Sequence, residues 1–351
     1  MKYNKKKKIM PVSGVNIFID KNIKGIINFF CFNGAERGTN YFNNESKGDE
    51  INILIKIVSP DYFLPEKKDN LVNFSKYYRV GRNQVYYFRK ILFFKLGLSF
   101  KKVSEKTFCF SVTTDYLRFV KLRIGNLCSL GVHLLYLLMI ETIKKGNLIL
   151  YGGAFLNTQS NIASLIIAPS GVGKTQTLLK LIEDKSFKLL SEEDSYLDFS
   201  NQELNFICVP NTIFNINKNK KKGRFFDFLF DFLFVKKDKT ILEVLGPEIF
   251  SRKGTAKRIY LLENSKSDSI EKVPNNEENL RKVTAIQHLR FSNYWNELLC
   301  AYSYYGNLDM NHIYKKDEAL LREFFSRVEL FIVKASSFEK FSQLIRSIEK
   351  K

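Results

Sequence analysis

Residues 51–58 (Ile-Asn-Ile-Leu-Ile-Lys-Ile-Val) and 84–94 (Gln-Val-Tyr-Tyr-Phe-Arg-Lys-Ile-Leu-Phe-Phe) have the branched and aromatic bias of strands. The stretches 42–50 and 65–69 are polar and broken by Asn, Gly or Pro, which predicts loops. Residues 1–125 therefore read as a β-rich region, and no chemical motif stands out in it. After Gly125 the pattern changes. Residues 132–145 have helical spacing and close on Lys144, Lys145 and Gly146, cations in the last turn followed by a glycine stop. Apolar runs at 147–151 and 163–168 predict buried strands on either side of a polar turn, 157–161. A helix over 174–183 and a short strand over 188–190 come next. Strand, helix, strand in this order is α/β punctuation. Further strands are predicted at 259–262 and 328–333, and helices at 285–302, 317–325 and 337–349.

Length and charge sharpen this picture only a little. At 351 residues the chain suits about two domains, divided here as 1–125 and 126–351. Lys and Arg outnumber Asp and Glu by 56 to 36, a formal charge of +20. That excludes an acidic solvating protein and leaves nucleic acid, anionic lipid or phosphate-rich ligands as partners. The abundance of Phe, Tyr, Lys, Asn and Ile also fits a coding bias, so charge alone argues for no function, and nucleic acid is not the expected partner. Five scattered cysteines, Cys31, Cys109, Cys128, Cys208 and Cys300, form no Cys-x-x-Cys pair and suggest free thiols in a reducing compartment. The longest uncharged apolar run, 127–140, falls short of the roughly 20 residues that span a bilayer. The expectation is a cytoplasmic chain without a membrane span.

Chemistry concentrates at Ala168-Pro169-Ser170-Gly171-Val172-Gly173-Lys174-Thr175-Gln176. It matches the phosphate-loop pattern of Gly, four residues, then Gly-Lys-Ser/Thr, with Ala168 in place of the first Gly. Glycines let successive N–H groups turn toward phosphate oxygens, and the next helix adds its positive end. Pro169, Ser170, Gly171, Val172, Gly173, Lys174, Thr175 and Gln176 are the candidate nucleotide-binding residues. Lys174 would reach the terminal phosphates and the Thr175 hydroxyl would hold Mg²⁺. Downstream, Leu189-Leu-Ser-Glu-Glu-Asp-Ser-Tyr-Leu-Asp198 puts acids at the end of an apolar strand. There Glu192 and Glu193 are candidates for a catalytic base, with Glu192 also for the metal. Alternation lets at most one of the two face the phosphates. No guanine-recognition Asn-Lys-x-Asp and no transporter-type Leu-Ser-Gly-Gly-Gln is present.

Residues 150–198 resemble the C-terminal kinase domain of HPr kinase/phosphorylase, and more closely the HPr-kinase-like proteins encoded beside peptide-modification systems. That family runs an apolar strand ending in His-Gly or His-Ala, a polar turn, a strand, Ser-Gly-x-Gly-Lys-Ser/Thr, a helix, then Leu-Leu-Ser-Asp-Asp. Here those stretches read Leu148-Ile-Leu-Tyr-Gly-Gly-Ala154, 157–161, 165–175 and Leu189-Leu-Ser-Glu-Glu193, with Tyr151 in place of the His and Glu in place of Asp. The resemblance implies an α/β fold, a P-loop kinase domain of the HPr kinase/PEP carboxykinase-like type preceded by the β-rich region. It also implies ATP and Mg²⁺, and a Ser or Thr hydroxyl of a protein or peptide as acceptor. A nucleotide-binding regulator or scaffold with weak or no transfer is the second reading. The first 125 residues would supply acceptor recognition or a homo-oligomer contact. Outside the motif, the basic run 218–224 and the aromatic run 225–235 read as a solvated loop and a core helix, with substrate binding or partner docking as alternatives. His133, in an apolar helix, reads as a core residue, and His288 and His312 lack metal-ligand spacing.

Overall fold

A computed structural model describes residues 6–12, 15–20, 51–63, 71–121, 130–199, 204–207, 213–214, 239–240, 245–292, 297–305 and 308–350. The loops expected at 42–50 and 65–69, the runs 218–224 and 225–235, and Cys31, Cys128 and Cys208 lie outside them. The fold is mixed α/β. The chain divides into two compact units, one of residues 1–136, 213–241 and 296–310, the other of 137–212, 242–295 and 311–351.

The first unit carries an eight-stranded sheet: β1 (Lys6–Val12), β2 (Val15–Asp20), β3 (Ile51–Ile57), β4 (Val72–Asn73), β5 (Tyr78–Gly81), β6 (Gln84–Ile91), β7 (Phe94–Ser104) and β8 (Thr107–Val112). Their spatial order is β1-β2-β3-β8-β7-β6-β5-β4, parallel from β2 through β3 to β8 and antiparallel elsewhere. Helix α1 (Thr114–Lys121) packs on β7. The fully buried Phe100 ring meets Phe110 at 5.0 Å and Tyr302 at 4.8 Å. The expected strand 84–94 is in fact β6, a two-residue turn and the start of β7. Leu92-Phe93 makes that turn with neither Gly nor Asn to announce it.

Helix α2 (Leu130–Lys144) passes from the first unit's residues into the second's and buries His133. It ends as its sequence predicts. Gly146 takes φ 81°, Gly146 N–H donates to Ile143 O at 2.9 Å, and Asn147 N–H donates to Thr142 O at 3.0 Å. These paired bonds satisfy carbonyls that the helix end leaves open.

In the second unit a path of seven strands builds the site. They are β9 (Leu148–Tyr151), β10 (Gly153–Asn157), β11 (Ile162–Ile167), β12 (Phe187–Ser191), β13 (Asp194–Asp198), β14 (Asn205–Ile207) and, after a separate two-stranded pair β15 (Ile213–Phe214) and β16 (Lys239–Thr240), β17 (Lys253–Asn264). Their order is β12-β10-β11-β17-β14-β13-β9, and β17 also pairs β19 (Glu329–Ala335), which pairs β18 (Ser269–Val273). The two ends of this path meet, because one residue, Gly152, joins β9 to β10 and two residues, Glu192-Glu193, join β12 to β13. Helix α3 (Lys174–Ile182) follows β11. After it come α4 (Glu277–Ser292), α5 (Glu297–Ser303, in the first unit), α6 (Met310–Ser326) and α7 (Phe338–Glu349).

Three expectations are revised. Strand β10 is new, the strand at 259–262 extends from 253 to 264, and the helix at 285–302 is two helices, α4 and α5. Strand β12, which carries the acids, is separated from β11 by β10, which is antiparallel to both. Strand β12 still runs in the same direction as β11, so its acidic end reaches the same edge of the sheet. Among the described residues no helix is long and apolar enough to cross a membrane.

Candidate functional site

Strand β11 is buried from Ala163 onward and delivers the chain to Ala168, itself fully buried. Ala168 has no positive φ, so the backbone there does not require the glycine of the usual pattern. The two glycines that follow do carry a requirement. Gly171 takes φ 87° and Gly173 φ 105°, a region that side-chain-bearing residues rarely adopt. A Cβ on Gly171 would meet nothing within 4 Å, so the loop opens on free space. Gly173 caps α3 without a side-chain hydrogen bond.

Pro169, Ser170, Gly171 and Gln176 are exposed, Val172, Gly173 and Thr175 are half-buried, and Lys174 is buried. The Lys174 ammonium lies 3.9 Å from the centroid of the Tyr151 ring, a cation–π contact at the end of β9. The Thr175 hydroxyl donates to the Glu192 carboxylate. Glu192 is buried and Glu193 is exposed, so the two acids diverge at the turn between β12 and β13.

That turn is tied down from several sides. Gly152 N–H donates to Glu193 O at 2.9 Å, the Ser195 hydroxyl donates to Gly152 O at 2.6 Å, and Ala154 N–H donates to the Ser191 hydroxyl at 3.1 Å. The Ser191 and Ser195 hydroxyls share a further hydrogen bond. A Cβ on Gly153 would come within 2.6 Å of Glu192 O and 2.1 Å of Leu178 Cδ1, and one on Gly152 within 2.8 Å of Ile166 O. Tyr151-Gly152-Gly153 is thus the floor against which the acidic turn and α3 both rest.

Two polar residues join the site that the motif does not include. Asp194 stands directly opposite Tyr151 in the β13–β9 ladder, so both side chains leave the same face of the sheet. Asp194 is also buried. Gln287, from α4, bonds both polar groups of the Tyr151 backbone, accepting from its N–H at 2.6 Å and donating to its O at 3.1 Å. Gln287, Tyr151, Met139, Ile149, Leu150, Leu321 and Asp317 line a small cleft. Burial pushes the Asp317 carboxyl up to about 6, with His288 pulling it down and Glu318 adding to the rise.

The far side of α3 is held by α7. Their contact begins at the loop, where Phe338 Cβ lies 3.6 Å from the position of a Cβ on Gly173. It ends at the last turn of α3, where Arg346 donates to the Lys180 and Leu181 carbonyls. Oxygen ligands for a cation are present as the Thr175–Glu192 pair. Two protein oxygens suit Mg²⁺, which takes its remaining ligands from phosphates and water. Among the described residues no cluster of three or more His, Cys, Asp or Glu side chains is placed to hold a metal.

No protein-family model and no curated protein matches the chain. Among solved structures it is similar to an HPr(Ser) kinase/phosphatase from Coxiella burnetii, at 9% identity over 57% of this chain and 96% of that one. The TM-score of 0.29 marks a distant structural relationship and carries no weight for activity.

Proposed function

We propose that the chain is an ATP-dependent kinase that transfers a phosphoryl group to a hydroxyl, a Ser or Thr of a protein or peptide. One juxtaposition carries the reading. The Thr175 hydroxyl and the Glu192 carboxylate meet at the mouth of a loop whose glycines take positive φ and whose lysine begins a helix. Bound Mg·ATP would supply the electrophilic phosphorus and a neutralising cation. The loop N–H groups and the α3 N-terminus would bind phosphate oxygens, and Lys174 would leave the Tyr151 ring for them. Thr175 and Glu192 would hold the cation. Either Glu192 or Asp194 takes the proton of the acceptor hydroxyl, since both are buried beside the loop while Glu193 faces solvent. The same proposal assigns nucleotide binding to residues 126–351 and acceptor recognition or an oligomer contact to residues 1–125.

A second reading, a nucleotide-binding module that does not transfer, is favoured by Tyr151. A phenol engaged through its ring face offers no imidazole to relay a proton. Titration calorimetry with Mg·ATP on wild type and Lys174→Ala tests both readings at their root. Charge-assisted bonds from one ammonium are worth about 1.5–3 kcal/mol, so the variant should bind at least about tenfold more weakly. Equal affinity would refute the loop assignment. Tight binding by wild type without label transfer to any hydroxyl would select the second reading.

A further inference from the structure

The β6–β7 hairpin breaks three local rules at one place. Leu92 sits at φ 53°, where a side chain clashes with its own backbone. Asn161, the other non-glycine residue with positive φ among the described residues, is of a type that tolerates the region. Leu92 and Phe93 are 77% and 78% exposed, more than any other large apolar side chains described. Directly behind them Lys90 and Lys95 face each other across the ladder, a like-charge pair that weakens a hairpin. Such violations are tolerated where function demands them.

We infer that this tip is a docking point for an anionic lipid surface. The shape favours lipid over a protein groove. Two side chains on a convex tip cover far less than the roughly 800 Å² per partner of a stable protein interface, yet they suffice as a wedge entering the headgroup boundary. The Phe93 ring rests on Phe94 at 4.5 Å, and Phe94 on Phe119 of α1 at 5.0 Å, so the wedge is backed by a packed aromatic row. Charge completes the fit. Lys90, Lys95 and Arg118 surround the tip, against Asp61, 3.9 Å from Lys95, and Asp115, 3.5 Å from Arg118. Three cations against two acids leave the tip a net charge of +1, and the +20 of the whole chain adds attraction within a Debye length of a negative membrane. An apolar wedge beside basic side chains combines an apolar and an electrostatic signal, which together hold a chain on an anionic surface more firmly than either alone.

Co-sedimentation of the full chain with phosphatidylcholine vesicles, with and without phosphatidylserine, tests the assignment. Wild type should bind the anionic vesicles and not the neutral ones. The variant Leu92→Gly/Phe93→Ser installs residues that a two-residue turn prefers, so it should melt no lower than wild type while binding at least about tenfold more weakly. Phe93→Trp should retain binding, and its fluorescence should shift to the blue on anionic vesicles. Failure of wild type to bind overturns the inference, as does undiminished binding by the Gly-Ser variant. Tip-dependent capture of an acidic protein or nucleic acid without vesicle binding overturns it too.

Discussion

Replacing Glu349, near the end of α7, with Ala should strongly destabilise the second unit. The Glu349 side chain has no solvent exposure, and four groups converge on its carboxylate. Ser164 donates at 2.7 Å, Tyr260 at 2.8 Å, Arg258 at 2.8 Å and Asn157 at 3.5 Å. Removing the carboxylate leaves the Arg258 guanidinium, whose side chain is only 19% exposed, without this partner and orphans two buried hydroxyls. Breaking a buried pair by deleting one member costs about 3–5 kcal/mol. The second contact of Arg258, with Glu329 at 3.3 Å, offsets part of that cost and favours the lower end of the range. A loss of about 3 kcal/mol corresponds to roughly 6–12 °C in Tm for a unit of this size. The effect should reach the loop, because α7 presses on Gly173 at one end and caps α3 through Arg346 near the other. Differential scanning fluorimetry with and without Mg·ATP reads both effects. A fall in Tm below about 2 °C, under 1 kcal/mol, would refute the claim that this network pins α7.

Two further outcomes follow from the site. Glu192→Gln preserves size but removes the charge proposed to hold the cation beside Thr175, so phosphoryl transfer should fall about 100-fold or more and Mg·ATP should bind more weakly, while Glu193→Gln stays near wild type in both; steady-state assays giving the reverse order would refute the assignment of Glu192. Asp317 holds its proton more tightly folded than unfolded, because burial raises it from 3.8 to about 6. Stability from this group is therefore full below pH 4 and lost as pH rises toward 6. Asp317→Asn stays neutral, so its Tm advantage over wild type should grow between pH 4 and 6.5, and a flat difference would contradict the burial argument.

What the sequence made legible was whatever depends on neighbours along the chain. The stop after α2 was written in Lys144 and Gly146, the start of α7 in Ser337, whose hydroxyl accepts from Lys340 N–H, and the glycine-rich loop in its own spacing. The misses share a different cause. Strand β10 begins at the second glycine of Gly152-Gly153, a pair that reads as an ending. It continues because β11 and β12 pair with its two edges. The first half of β17 is rich in Lys, Arg and Gly and still forms a strand, since β11 and β14 flank it on opposite sides. Leu92-Phe93 reads as the interior of a strand because its apolar character signals burial, while the ladder folds it out into solvent.

The candidate site divides along the same line. Spacing alone selected residues 169–176, and alternation alone required that Glu192 and Glu193 not share a face. Which acid faces the loop was undetermined, because the strand stops at Ser191 and the turn is set by Gly152, some 40 residues upstream. Asp194 escaped notice for the same reason, since its place opposite Tyr151 is a pairing between strands far apart in the chain. The tyrosine is where these threads join. Its backbone is clamped by Gln287, its ring receives Lys174, and its register sets Asp194 beside them. A side chain at this position that lacked an aromatic face would leave the buried ammonium without this ring contact.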